Sequence, residues 1–157
     1  MRYARLAALA ALLLAAIPAV ARDAPIYVVR HFDTPAGARD PDLLPRGTRR
    51  ADRLATWFRG KKLTAIFVSD FRRTRQTVAP LATKRGIDVQ TYDPRDTPGI
   101  VARARAAGGP VLIVGHSNTV PDIVAQLGGA RPVDLEHGDF GDIWTVRDGR
   151  TVHGRIE

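Results

Sequence analysis

Two histidines and a group of arginines stand where short apolar runs of this sequence end. Ile26-Tyr27-Val28-Val29 runs into Arg30-His31, and Ala65-Ile66-Phe67-Val68 runs into Ser69-Asp70, with Arg72, Arg73 and Arg75 close behind. Val111-Leu112-Ile113-Val114 runs into Gly115-His116-Ser117-Asn118. A guanidinium is a planar fork of donors matched to phosphate oxygens. A histidine can attack phosphorus and carry the phosphoryl group covalently. Two imidazoles with two or more arginines therefore suit a phosphoryl group, the arginines neutralising the developing charge. Helix starts after Asn118 and near Arg73 add backbone N–H donors, and Ser117 and Asn118 either donate to phosphate or cap the next helix. His31 and His116 lack the clustered carboxylates or cysteines of a metal site, so neither metal nor cofactor is expected.

These groups converge only if the strands lie side by side in parallel. Ala51, Leu54, Ala55 and Phe58 fall at helical spacing within Arg46 to Arg59, with Gly60 as the stop. Thr74 to Arg85 reads as a second helix ended by Gly86, and Asp88 to Tyr92 as a strand nearer an edge. Thr97 reads as the N-cap and Pro98 as the first residue of a third helix that stops before Gly108-Gly109. A fourth helix runs from Thr119 to Leu127. Asp148-Gly149 joins Ile143–Arg147 to Thr151–Ile156 as a hairpin. Alternating strands and helices predict a three-layer α/β/α sandwich with a mostly parallel central sheet. The antiparallel C-terminal hairpin belongs at its edge. In such a sheet the carboxyl ends of the strands share one crevice, where ligands bind.

The first twenty or so residues read differently. Arg2 and Arg5 precede an apolar run from Leu6 to Ile17, and Ala19-Val20-Ala21 is a small-x-small site. That is the pattern of a secretory signal peptide, residues 1–21, with one domain over residues 22–157. A twelve-residue run is shorter than the ~20 residues of a membrane span, so no stable insertion is expected after cleavage, although an uncleaved anchor is the alternative. The chain is expected in the periplasm or secreted. With no cysteine it has no disulfide framework. The formal charge of +8 comes mostly from 21 arginines, scattered and interleaved with aspartates. That balance favours anionic substrates or an anionic envelope surface. No groove-reading motif accompanies it, so nucleic acid is not an expected partner.

The three strand ends resemble the histidine phosphatase superfamily, the phosphoglycerate mutase-like fold, in its branch 1. Arg30-His31-Phe32-Asp33-Thr34 is similar to its Arg-His-Gly-Glu-Thr signature, and Ser69 to Thr77 to its Ser-x-x-x-Arg-Ala-x-Gln-Thr motif. Val111 to Asn118 is similar to its third motif, and Leu43 to Ala51 resembles its Leu-Thr-x-x-Gly-x-x-Gln-Ala helix start. The resemblance implies that His31 is the nucleophile and that Arg30, Arg73 and His116 clamp the phosphoryl oxygens. Arg72 and Arg75 then read as solvated helix charges, and His137 and His153, outside every motif, as surface residues.

Three departures stand out. Phe32 replaces a small residue and is expected to reshape the pocket floor. Gly37 replaces a phosphate-binding asparagine. The family's glutamate acid has no match, leaving Asp96 or Asp93 as candidate proton donors, with turn chemistry as their other reading. Only about 35 residues separate Arg73 from the fourth strand, too few for the lid of the mutases. The expectation is a monomeric, metal-independent phosphatase acting on a phosphorylated small molecule, envelope glycan or phosphoprotein. A phosphohistidine phosphatase and a non-catalytic phosphate-binding module are the alternatives.

Overall fold

The structure is a computed structural model that describes residues 24–157. The predicted signal segment, residues 1–21, lies outside the described residues. Strands and helices alternate as β1 (Ile26–Arg30), α1 (Pro45–Trp57), β2 (Ala65–Ser69), α2 (Arg72–Arg85), β3 (Val89–Tyr92), α3 (Thr97–Ala106), β4 (Val111–Gly115) and α4 (Val120–Gln126). The chain closes with β5 (Asp142–Arg147) and β6 (Arg150–Arg155). One six-stranded sheet has the order β3-β2-β4-β1-β5-β6. Its first four strands in that order are parallel, and β5 and β6 run antiparallel at the edge.

The buried apolar runs alternate between two cores because successive side chains point to opposite faces of a strand. Ile26 and Val28 of β1, with Val111 and Ile113 of β4, pack beneath Ile100, Val101, Ile123 and Val124 of α3 and α4. Tyr27, Val29, Leu112 and Val114 pack on the other face against Leu54, Val78 and Leu81 of α1 and α2. This is the expected sandwich.

Two boundaries differ from expectation in ways that matter for the site. Helix α2 opens at Arg72 rather than Thr74, which places Arg73 in its first turn. The N-cap of α3 is Asp96, not Thr97: its carboxylate accepts the Gly99 N–H at 2.9 Å. A carboxylate oxygen accepting from the N–H of the third helical residue makes the stronger cap. Between Arg73 and β4 the chain is taken up by α2, β3, α3 and their short connections, so no lid is inserted there.

Candidate active site

Register brings the strand ends level. Arg30 pairs with Gly115 across β1 and β4, and Val68 pairs with Val114 across β2 and β4. Arg30, Gly115 and Ser69 therefore form one row, and the residues after them open above it. The His31 N–H donates to the Gly115 carbonyl at 3.0 Å, extending the ladder one step past the strand. His31 and His116 then stand edge to face with ring centroids 5.3 Å apart. Gly115 has no room for a side chain, since a Cβ would lie 2.7 Å from Thr119 Oγ1. That hydroxyl accepts the His116 N–H at 2.9 Å and fixes the turn into α4.

Each ring has a defined orientation. His31 Nδ1 lies 2.9 Å from the Phe32 carbonyl, which can only accept, so Nδ1 carries the proton and Nε2 the free lone pair. Burial pushes the His31 pKa down to about 3, the Phe32 carbonyl pulls it up, and His116, Arg30 and Arg73 lower it further. The ring is neutral at pH 7, with its Nε2 lone pair unshared by any hydrogen bond among the described residues. His116 is pushed down to about 4, first by burial and then by Arg73 and Arg30. Its Nε2 shares a 2.7 Å hydrogen bond with Ser69 Oγ, and its Nδ1 accepts from Arg73 Nη2 at 3.4 Å. Thr74 Oγ1 donates to the Ser69 carbonyl at 2.7 Å, leaving its oxygen for the Ser69 hydroxyl at 3.4 Å. This chain assigns the Nε2 proton to His116 while the pocket is free. An incoming dianion would favour a second proton on Nδ1, which then donates to it.

The arginines are held from both sides. Arg30 Nη1 donates to the Glu136 and Asp139 carbonyls at 2.6 and 3.0 Å, and its guanidinium carbon lies 4.1 Å from the centre of the Phe140 ring. Arg73 Nη1 donates to the Arg39 carbonyl and to Asp40 at 3.2 and 3.3 Å, over the Phe71 ring. Burial opposes the charge on both, yet a guanidinium stays protonated. Arg30, His31, Thr34, Gly37, Arg73 and His137 are among the residues lining a cavity of about 160 Å³. Among the described residues no carboxylate lines it.

Residues 26–94 match the family model described as histidine phosphatase superfamily (branch 1). The whole described chain has the histidine phosphatase fold, including β4 and His116, which lie beyond the matched segment. It is similar to a structure of the protein histidine phosphatase SixA complexed with tungstate, at 19% identity and TM-score 0.63, over 83% of this chain and 94% of that one. The alpha-ribazole phosphatase from Shigella flexneri is 13% identical with TM-score 0.62, over 84% of this chain and 95% of that one. A phosphoserine phosphatase mutant from Entamoeba histolytica, in complex with phosphoserine, is 13% identical with TM-score 0.63, over 85% and 97%. No curated protein sequence matches the chain.

Within this histidine phosphatase fold Arg30, His31 and Arg73 line the cavity, and His116 stands behind it against His31 and Arg73, whereas several other candidates do not come together with them. Phe32 does not reshape the cavity floor: its side chain is fully buried against α1 and α2, and its N–H donates to Thr77 Oγ1 at 3.0 Å. Gly37, with φ 76°, contributes only backbone to the cavity wall. Asp93 is engaged by Arg95 through two contacts of 3.0 and 2.8 Å, and Asp96 caps α3. Neither lines the cavity. Ser117 and Asn118 sit in the turn before α4 outside the cavity lining, and Thr119 takes the N-cap position. His153 is a surface residue stacked on Trp144 and bonded to Asp142. His137 is exposed but stands in the cavity wall, edge-on to Phe140 at 5.8 Å. No spacing in the sequence announces it. The loop carrying it is brought over the site by the Arg30 bonds to Glu136 and Asp139.

Proposed function

We propose that this chain is a metal-independent phosphatase that hydrolyses phosphate esters through a phosphohistidine at His31. The observation that carries this reading is the His31 Nε2 lone pair, fixed by the Phe32 carbonyl and flanked by Arg30, Arg73 and His116. The tungstate held by a protein of the same fold, an oxyanion shaped like phosphate, supports it. His31 Nε2 attacks phosphorus, the P–O bond to the leaving group breaks, and its electron pair stays on the ester oxygen. The arginines and His116 hold the remaining oxygens as charge builds on them. Because Nδ1 keeps its proton on the Phe32 carbonyl, the phosphorylated ring is cationic and its P–N bond is easily broken. Water then attacks phosphorus, releasing orthophosphate and neutral His31. The signal-like N-terminus favours an exported protein, and the lidless cavity favours a phosphate at the end of a bulky envelope substrate.

His137 supplies the proton to the leaving oxygen and takes one from the attacking water. It is the remaining imidazole in a wall otherwise offering arginines, which do not deprotonate, and no carboxylate. Its replacement by alanine is expected to slow an alkyl phosphate ester by about 10²-fold or more, while p-nitrophenyl phosphate, whose leaving group needs no proton, changes only a few-fold. Equal losses on both esters would remove His137 from this role. A phosphohistidine on another protein is the second reading, since the same open site admits it, and its imidazole leaving group would make it insensitive to the same replacement.

Rapid acid-free quenching of wild type with a ³²P-labelled aryl phosphate tests the function itself. An acid-labile, base-stable label on the protein is expected. No label, together with no turnover of aryl phosphate, would leave a non-catalytic phosphate-binding module as the better account.

A further inference from the structure

Arg46, Arg49, Arg50 and Arg53 stand at i, i+3, i+4 and i+7 on α1, which aligns them along one side of the helix. With Glu157 they line a cavity of about 240 Å³ that shares no lining residue with the His31 cavity. Their counter-charge is small. Asp33 meets Arg50 at 2.6 Å and Arg46 at 3.6 Å, and Glu157 is held by Arg155 at 3.0 Å. Arg49 and Arg53 have no ion pair among the described residues. Arg50 is only 2% exposed, and its Nε has no hydrogen-bond partner.

This arrangement works against the helix that carries it. Like charges three and four residues apart repel, and cations near a helix N-terminus oppose its dipole. The first turn of α1 holds no acidic residue to offset them. Arg49 and Arg53 are exposed, so the apolar core does not require them. The hollow is smaller than the roughly 300–1,000 Å³ of sites for drug-sized molecules, a size suited to a small ion or one group of a larger ligand. Guanidinium forks match phosphate oxygens in both charge and shape.

We propose that this cavity is a second anion-binding site, separate from the His31 pocket, which takes a phosphate or diphosphate group through Arg46, Arg49, Arg50 and Arg53. The bound group supplies the counter-charge that the folded chain withholds. Such a group reaches the site either on a soluble ligand or on a lipid headgroup.

Calorimetric titration of the intact protein in 0.15 M salt, about 8 Å of screening length, tests the site against diffuse attraction. The soluble probe is methylenediphosphonate, whose P–C–P bridge resists hydrolysis. The lipid probe is a phosphatidylcholine vesicle containing phosphatidic acid. The variant is R49A/R53A, at exposed positions where alanine is the best helix former. Wild type is expected to bind one more equivalent of diphosphonate than the variant, or to bind it there at least tenfold more tightly, with p-nitrophenyl phosphate turnover equal in both. A difference seen only with vesicles would keep the site and assign it to headgroups. Equal binding of both probes by wild type and variant would overturn the site. Loss of turnover in the variant would overturn its separation from the catalytic pocket.

Discussion

Replacing His31 with alanine is expected to lower kcat for an aryl phosphate by at least about 10⁴-fold and to abolish the phosphoryl label on the protein. The loss is large because no neighbour stands in for the nucleophile: Arg30 and Arg73 have no lone pair to offer, His116 is committed to Ser69 and Arg73, and His137 lies on an exposed loop with no carbonyl among the described residues fixing its ring. Retained turnover in His31→Ala would sink the mechanism while leaving the fold untouched. The pH profile of wild type gives a second readout. With both histidines depressed, the free enzyme is already in its neutral, attacking form at pH 7. On an aryl phosphate the acid limb therefore comes from protonation of His31 and lies near pH 3. An acid limb of kcat/KM near 6.5, the value of free imidazole, would mean that the titrating group is not the buried pair, once ionisation of the substrate is accounted for.

Asp33→Ala is expected to destabilise the domain by about 3–5 kcal/mol, lowering Tm on the order of 10 °C. Asp33 and Arg50 are both buried, 2.6 Å apart, and tie the end of β1 to the first turns of α1. The backbone makes the same join: the Leu44 N–H donates to the Asp33 carbonyl at 2.8 Å. Gly47 lies so close that a Cβ there would meet that carbonyl oxygen at 2.6 Å. Removing the carboxylate strands a buried guanidinium whose Nε is already without a partner. Removing both charges is the control. Asp33→Leu with Arg50→Met is expected to recover most of the loss, because an apolar pair of similar volume avoids the cost of burying two ions. Urea unfolding of the three proteins measures this, and a loss below about 1 kcal/mol in Asp33→Ala would show that the pair does not hold the corner together.

The same pair shows where reading the sequence stops. In the motifs this chain resembles, a glutamate stands at the position of Asp33 and a glutamine at that of Arg50. Here the acid is shorter and its partner longer and charged. The two departures compensate, but that is visible only when α1 is laid against the end of β1. Phe32 is a similar case. Beside the nucleophile in sequence it looks like a pocket residue, whereas the chain turns after β1 and sends its ring into the α1–α2 core.

Strand and helix order, the parallel sheet with its edge hairpin, and the convergence of Arg30, His31, Arg73 and His116 were all determined by the sequence alone. The reason is local: periods of 2 and 3.6 in apolar residues specify the elements. Parallel strands then deliver whatever follows them to one edge. Tertiary structure decided the rest. It removed Asp93 and Asp96 from the cavity by giving one an arginine and the other a helix cap. It brought His137 into the wall through a loop pinned by Arg30 and placed Ser69 behind His116. The His137 and Ser69 placements depend on contacts between segments far apart in sequence, and local periodicity carries no information about such pairings.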